Sequence, residues 1–503
     1  MTITSMETSS ALYAVVDLGS NSFHMLITRQ LADSVQVVDR VKRKVRLAAG
    51  LDSNNILSEQ AMAKGLECLS FFAERLQDIP KSNIRIVATA TLRLAENRAD
   101  FIAQAELILG HRISLLSGIA EAEYIYLGVA HTNCSADKRL VLDIGGASTE
   151  LIVGHGFTIK KAHSLNMGCV TFNQQYFPKG TLTADNFSRA IAAAELAIKT
   201  VKAEFCDIGW QCVLGGSGTM QALAEILIYQ HKPTVISLNF LYQVQTELQT
   251  FDNISCINLA GLSSERSPVI ASGLAILIAL FKQFAIEKLT LSSGALREGL
   301  LYEMLPDSHT INIRQRTISA LSQRFHVDQQ HAQSIKQQVS IIFTQLKNTW
   351  DLPNDNAFEI LQASCDLHEI GLLLEYKYHQ RHSAYILKHA DLAGFSQSDR
   401  QLLVAFVSLY KGDINQALIK QQASIGADYA MKLLIILRLA VILCRRRKDD
   451  KLPSYQITAN DKSLNLFLPS AWLKQHALIS DELKQENIHL VRLGYALNIK
   501  CQN

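Results

Sequence analysis

The sequence predicts an α/β protein built as two related lobes, followed by a helical domain and a small C-terminal α+β domain. Three observations carry this. Strand-like and helix-like segments alternate from residue 12 to about 132, and the alternation restarts at 139. Each half opens on an apolar run ending in an aspartate, followed by small polar residues: AVVDLGSNSFHML at 14–26 and LVLDIGGASTELIVG at 140–154. After about 306 strand signals give way to helical periodicity, and β patterning returns only past 450.

The elements follow in order. Residues 12–48 are rich in β-branched side chains with Asp-, Gly- and Ser-based turns, and read as strands. Residues 57–78 repeat apolar positions every three or four and read as a helix. IRIVATAT (84–91) reads as a strand, ADFIAQAELILG as a helix stopped by Gly110, RISLLS (112–117) as a strand, and IAEAEYIYLGVAHT as a helix. In the second half, 139–165 gives strands and hairpins, and 186–205 a helix. Residues 211–227 and 288–305 each give strand, Gly-rich turn and helix. Residues 312–347 and 356–447 are helical in period. YQITANDKSLNLFLP (455–469) is a hairpin pattern, and IHLVRLGYALNIK (488–500) supplies further strand. The expected domains are 1–128, 129–305, 306–450 and 451–503.

Composition bounds the function. The chain has 503 residues, enough for about two to four domains, and 48% hydrophobic residues, enough for real cores. A formal net charge of +3 is not the field of a nucleic-acid coat, although a local basic patch is compatible with it. The nine cysteines are scattered without CxxC or zinc-type His/Cys spacing, which reads as reduced core thiols. The N-terminus lacks the basic and apolar regions of a signal peptide. The most apolar stretches, 270–281 and 431–444, fall short of the roughly 18 residues a membrane span needs, and the second contains Lys432 and Arg438. Both read as buried helices. The expectation is a soluble cytoplasmic protein without nucleic-acid or membrane partners.

The two Asp-Gly loops, 126 positions apart, carry the chemistry. Asp17 is followed by Gly19, Ser20, Asn21 and Ser22; Asp143 by Gly145, Gly146, Ser148 and Thr149. Small residues let backbone N–H groups approach a phosphate, and hydroxyls add donors. A strand-terminal carboxylate can hold a hard cation or orient water. Glu150 lies close enough in sequence to Asp143 to share a metal or water with it. A third cluster, Gly216-Ser217-Gly218-Thr219, and a fourth, SSGALREG (292–299), each follow a strand and can bind an anion at a helix start. Four such turns favour a phosphate-bearing ligand between two facing lobes.

The segments DLGSNSFHM, KVRLAAGL, FFAERL, VATATLR, DIGGASTEL, MGCVTF, SGT and GALREG resemble the exopolyphosphatase/guanosine pentaphosphate phosphatase (PPX/GppA) family, over essentially the full length. That family lies within the actin–Hsp70–sugar kinase superfamily. The resemblance implies two actin/Hsp70-like (ribonuclease H-like) lobes and hydrolysis of a terminal phosphate from a linear phosphoanhydride. RVKRKVRLAAGL, VATATLRLA, DIGGASTEL and RRRKDD (445–450) are closer to the guanosine pentaphosphate branch, which converts pppGpp to ppGpp in the stringent response. Processive exopolyphosphatase activity is the nearest alternative, and a catalytically weak sensor of guanosine polyphosphates or polyphosphate the next.

The resemblance assigns roles. The family's catalytic base is the last acid of an SGxEEA segment; here Glu121 keeps that position, Ala120 replaces the preceding acid, and Glu123 stands where arginine is usual. Glu121 then deprotonates the attacking water, and Asp143 and Glu150 hold Mg²⁺. Backbone N–H groups of 18–22 and 145–149, Ala147 included, stabilise charge on the equatorial oxygens. Arg93 clamps a phosphate; as a bare residue it is equally a surface arginine.

Other features keep two readings. Alternation puts Arg40, Lys42, Lys44 and Arg46 on one face and Arg43 on the other, either as a solvated edge or as an entry channel for a polyanion. His368-Glu369 resembles the His-Asp pair of HD-type phosphohydrolases with Glu for Asp, and His379, His382 and His389 are nearby. The helical region reads as HD-like without its own chemistry, covering the cleft, binding substrate or building a homodimer interface. Arg445 to Lys448 either caps helix carbonyls or touches a guanosine polyphosphate.

Overall fold

Val-, Ile- and Leu-rich runs separated by turn residues form three antiparallel strands, β1 (Leu12–Leu18), β2 (Ser22–Leu31) and β3 (Ser34–Lys44). The helix α1 (Glu59–Leu76) follows, its first turn capped by the Ser58 side chain. Next come β4 (Ile84–Ala88), α2 (Ala90–Leu94), α3 (Arg98–Leu109), β5 (Ser114–Leu115) and α4 (Gly118–Thr132). The sheet order is β3-β2-β1-β4-β5, with β4 parallel to β1. Gly110 ends α3 at a φ of 65°, as expected. The computed structural model describes residues 11–31, 34–52, 54–133, 138–305, 313–353, 355–390, 392–422, 424–447 and 452–502.

The design then repeats. A second meander, β6 (Lys138–Ile144), β7 (Thr149–His155) and β8 (Thr158–Leu165), leads into α5 (Cys169–Tyr176) and α6 (Ala184–Ile208). After these come β9 (Cys212–Gly215), α7 (Gly218–Tyr229), β10 (Val235–Ile236), α8 (Leu238–Leu248), α9 (Ser267–Phe284), β11 (Leu289–Leu291) and α10 (Leu296–Met304). The order is β10-β11-β9-β6-β7-β8, and β9 is parallel to β6 as β4 is to β1. Helix α9 is long and apolar enough to cross a membrane, but it is packed in the core of this lobe.

Helices α4 and α10 lie between the two sheets. Ile125, Tyr126, Val129 and Leu300 share one core with Val15, Leu26 and Val87 of the first sheet and Val141, Ile152 and Leu214 of the second. Their crossing is made by glycine. A Cβ on Gly299 would lie 1.8 Å from the Tyr124 carbonyl oxygen, and one on Gly128 2.0 Å from that of Ala295. The fourth glycine cluster serves backbone packing as well: a Cβ on Gly294 would lie 2.3 Å from the Gly128 carbonyl oxygen, while residues 292–298 also line the cleft described below. The expected division at 128 falls inside α4.

By packing, the chain forms two units, Met1–Ile313 and Arg314–Asn503. Helix α11 (Ile313–Arg324) begins at that division. The second unit continues with α12 (Gln329–Trp350), α13 (Asn356–Leu367), α14 (His379–His389), α15 (Gln397–Leu409), α16 (Gln416–Gln421) and α17 (Ala427–Leu443). It closes with β12 (Gln456–Asn460), β13 (Ser463–Pro469), α18 (Ser470–Gln475), α19 (Ala477–Val491) and β14 (Ala496–Gln502) in a sheet of order β12-β13-β14. Arg438, the charge inside the apolar run of α17, is buried, and both Glu486 carboxylate oxygens accept from its guanidinium at 2.6 Å. A buried charge survives there because it is paired.

Four expectations are corrected. The strand at 84–91 ends at Ala88; Thr89 is extended and alanine at 90 starts a short helix. The strand at 112–117 shortens to Ser114–Leu115. The segment 488–500 is first the end of α19, whose Ile479, Leu483, Glu486 and Leu490 repeat on one buried face, and becomes strand only after Gly494. The cysteines are not all core thiols: Cys206, Cys256 and Cys501 are exposed. The expected boundaries at 306 and 450, Cys134 and Lys448 lie outside the described residues.

Candidate active site

Strand register places the two aspartates at equivalent positions. Asp17 on β1 is directly opposite His24 on β2, which is opposite Lys42 on β3. Asp143 on β6 is opposite Glu150 on β7, which is opposite Ser164 on β8. Directly opposed residues of antiparallel strands share a face. Each sheet thus carries a transverse polar row, and the two rows meet at one cleft of about 530 Å³. The loops behind the aspartates face each other closely: a Cβ on Gly146 would fall 2.6 Å from Ser20 Cβ. Only glycine at 146 lets the lobes approach this far.

Most of the expected site residues converge here. Asp17, Gly19, Ser20, Asn21, Ser22, Glu121, Asp143, Gly145, Gly146, Ser148, Glu150, Gly216, Ser217, Gly218 and Thr219 all line the cleft. Ala147 and Thr149 do not; both are buried behind it, and Thr149 Oγ1 donates to the Met167 carbonyl oxygen at 2.6 Å. Arg93 does not line it either. Its guanidinium donates to Glu121 Oε2 at 2.6 Å and to the Leu116 carbonyl oxygen at 3.0 Å. The arginine expected to clamp phosphate is, in this structure, the partner of the expected base. Ala120 is outside the lining and Glu123 is exposed, so neither departure from the family pattern changes the cleft wall.

Sequence reasoning missed part of the lining. Arg266, at the start of α9, lies across the N-terminus of α7, where a Cβ on Gly218 would come 2.0 Å from its Nη1. Arg297 on α10 donates to His24 Nδ1 at 3.2 Å. Burial, with Arg297 next, pushes the His24 pKa down to about 3, so the ring is neutral and can accept. Arg297 sits inside the GALREG segment and Arg266 inside no motif, so only the first had a signal. Of the basic run, Arg40 and Lys42 line the cleft, Lys44 donates to the Glu265 carbonyl oxygen at 3.1 Å, and Arg43 lies over Phe71 on the other face. Arg46 has left the strand, with φ 57°, so the expected alternation stops at Lys44.

The cleft concentrates negative charge. Burial pushes Asp17 up to about 7, against the pull of Arg297 and with help from Glu121 and Glu298. Burial and the charges of Glu121 and Asp17 push Asp143 up to about 7. Glu150 is raised well above the usual range by burial and by Glu121, although Ser164 Oγ donates to its Oε1 at 2.8 Å. Glu121 is raised by burial, and Arg93 opposes this. Asp17 Oδ1 is buried without a hydrogen-bond partner. Crowded oxygen donors with one orphaned atom fit a hard divalent cation. Among the described residues, no three of these carboxylates bring oxygens within 4.8 Å of one another.

Known phosphatases match this chain over nearly its full length. The family model described as "Ppx/GppA phosphatase family" matches residues 26–308, and "Ppx/GppA phosphatase, domain III" matches 313–487. A protein of Pseudoalteromonas translucida named guanosine-5'-triphosphate,3'-diphosphate pyrophosphatase is 49% identical over 97% of this chain and 98% of its own length. A Vibrio cholerae protein of the same name is 44% identical over 99% of this chain and 100% of its own. Among solved structures, an exopolyphosphatase from Cytophaga hutchinsonii superposes with a TM-score of 0.54 at 23% identity, covering 58% of this chain and 97% of that one. That last likeness supports the fold.

Proposed function

The chain belongs to the Ppx/GppA phosphatase family, and on that premise we propose that it hydrolyses the terminal 5′-phosphate of pppGpp, giving ppGpp and phosphate. The observation that carries the reading is the buried Glu121 carboxylate, held by Arg93 at the start of α4 and facing the same cleft as both Asp loops. The substrate follows the names of the relatives that match at 43% to 49% identity.

In the proposed reaction, water attacks the terminal phosphorus in line. The new O–P bond forms as the anhydride O–P bond breaks, and the leaving diphosphate departs with its oxygen. Glu121 takes the water's proton; burial raises its affinity for that proton, as a base working near neutral pH requires. Backbone N–H groups of the cleft-lining residues Gly19 to Asn21, Gly146 and Ser148, with the α7 N-terminus at Ser217, stabilise charge developing on the phosphoryl oxygens. The Gly145 N–H is taken by the Ser148 carbonyl oxygen at 2.8 Å, and Ala147 and Thr149, expected to contribute, stand behind the wall. Arg40, Lys42, Arg266 and Arg297 supply positive charge along the cleft for the rest of the polyphosphate. Asp143 and Glu150 would hold Mg²⁺, which when bound supplies Lewis-acid neutralisation of the phosphoryl oxygens.

Polyphosphate hydrolysis is the second reading, favoured by the same row of cations, which does not require a nucleoside. Phosphate release from pppGpp and from long-chain polyphosphate, each with Mg²⁺, ranks the two. Turnover of pppGpp far above polyphosphate is expected. The reverse order assigns the exopolyphosphatase activity, and binding without release from either sinks both.

A further inference from the structure

Among the described residues, one group of three side chains brings metal-ligating atoms within 4.8 Å of one another, and it lies in the second unit: His331, His368 and Glu369. His331 is in the first turn of α12, where its backbone N–H donates to the capping Asp328 carboxylate at 3.0 Å. His368 caps the C-terminus of α13, and Glu369 follows it. The sequence marked the pair 368–369 but placed the accompanying imidazoles at 379, 382 and 389. The structure commits His379 Nε2 to the Tyr410 hydroxyl at 2.5 Å and brings in His331 instead.

The surroundings are those of a ligand set. His368 is 1% exposed, and its Nδ1 is 2.8 Å from the Cys365 carbonyl oxygen. A carbonyl only accepts, so Nδ1 carries the proton and Nε2 presents its lone pair. That Nε2 is buried without a hydrogen-bond partner. A backbone carbonyl that fixes the tautomer from behind is how proteins orient a ligating histidine. Glu369 Oε1 lies 3.9 Å from this nitrogen, too long for a hydrogen bond. Two ligands about 2.05 Å from a tetrahedral ion sit about 3.3 Å apart, so a sub-ångström adjustment closes the gap.

A cation already stands at the rim. Arg447 Nη2 donates to Glu369 Oε1 at 2.6 Å and Nη1 to Asp328 Oδ2 at 3.2 Å, and its side chain is 42% exposed. We propose that His331, His368 and Glu369 form a binding site for a first-row divalent transition ion of the zinc type, and that Arg447 competes with the ion for Glu369. Two imidazoles and one carboxylate select Zn²⁺ or Co²⁺ over Mg²⁺, which prefers oxygen alone. Bound there, the ion ties the start of α12 to the end of α13. The site is built from residues of the second unit alone and does not depend on which phosphoanhydride is cleaved.

The test uses the full chain, stripped with a chelator and titrated with Co²⁺ in excess Mg²⁺ so that the oxygen donors of the cleft are occupied. The expected result is one equivalent of Co²⁺ with the visible absorption of a nitrogen-ligated ion, displaced by Zn²⁺. His331→Gln and Glu369→Gln should each weaken binding by at least about 10–100-fold, the loss typical of disturbing even an outer partner. Arg447→Gln removes no ligand and a competing charge at an exposed position, so it should bind Co²⁺ more tightly than the parent. The absence of Co²⁺ absorption from both the parent and Arg447→Gln overturns the proposal, as does a signal that survives both ligand substitutions.

Discussion

Replacing Arg93 by methionine separates two jobs that the sequence could assign to it. In the structure its guanidinium is 2.6 Å from Glu121, with side-chain exposures of 20% and 10%. Removing one partner of such a pair leaves a buried charge unpaired, a loss of about 3–5 kcal/mol. The lower end, about 3 kcal/mol, applies because Arg93 keeps some contact with water. Arg93 is also the one group that opposes the rise of the Glu121 pKa. Its loss moves that pKa further up, so the acid limb of the pH–rate profile shifts to higher pH, since the base must be ionised to act. The double substitution Arg93→Met/Glu121→Gln should recover much of the lost stability, because it removes the orphaned charge. Urea denaturation and the pH dependence of phosphate release read both effects. A clamp acting only on substrate would raise KM, leave the acid limb in place and cost less than about 1 kcal/mol; that outcome refutes the pairing argument.

Three further outcomes follow from the packing and charge of the first unit. Gly299→Ala should lower the Tm, because overpacking where the added Cβ would sit 1.8 Å from a carbonyl oxygen costs about 1–3 kcal/mol or more, beyond the roughly 1 kcal/mol helix gain; an unchanged Tm contradicts the close crossing of α4 and α10. Gly218→Ala meets only the flexible end of Arg266, so stability should hold while KM rises, and an unaltered KM removes Arg266 from substrate binding. Asp17 is raised from 3.8 to about 7, so its proton-linked stability is full below pH 3.8 and is lost as pH rises through about 7. The loss is up to about 4 kcal/mol at about 1.36 kcal/mol per unit, less what the cleft water screens. Metal-free protein should lose stability over that window, and Asp17→Asn should flatten the loss; an identical slope in the variant argues against it.

Much of the site was legible because its parts are local in sequence. A strand-terminal aspartate, its small residues and the returning strand fix one another through hairpin register, so Asp143 and Glu150 came out opposed. Arg266 and His331 belong to no local pattern; their positions depend on how distant helices pack. The same holds for Arg93: the sequence marked it as important, but its partner, 28 positions later, is set by how α2 meets α4. The glycines of the fourth cluster were only half legible for a related reason: Gly294 lines the cleft as expected, but it and Gly299 also let backbones cross. A small residue after a strand signals close approach, but it does not say whether an anion or another backbone does the approaching. Where β propensity and helical period competed, as at 488–500, the buried face of α19 decided.

The most direct test of the central claim is the turnover of pppGpp by Glu121→Gln with Mg²⁺ at saturating substrate. Loss of a positioned general base predicts a fall in kcat of about 10²–10⁴-fold with substrate binding retained. Turnover equal to that of the parent protein would remove Glu121 from the chemistry and contradict the account.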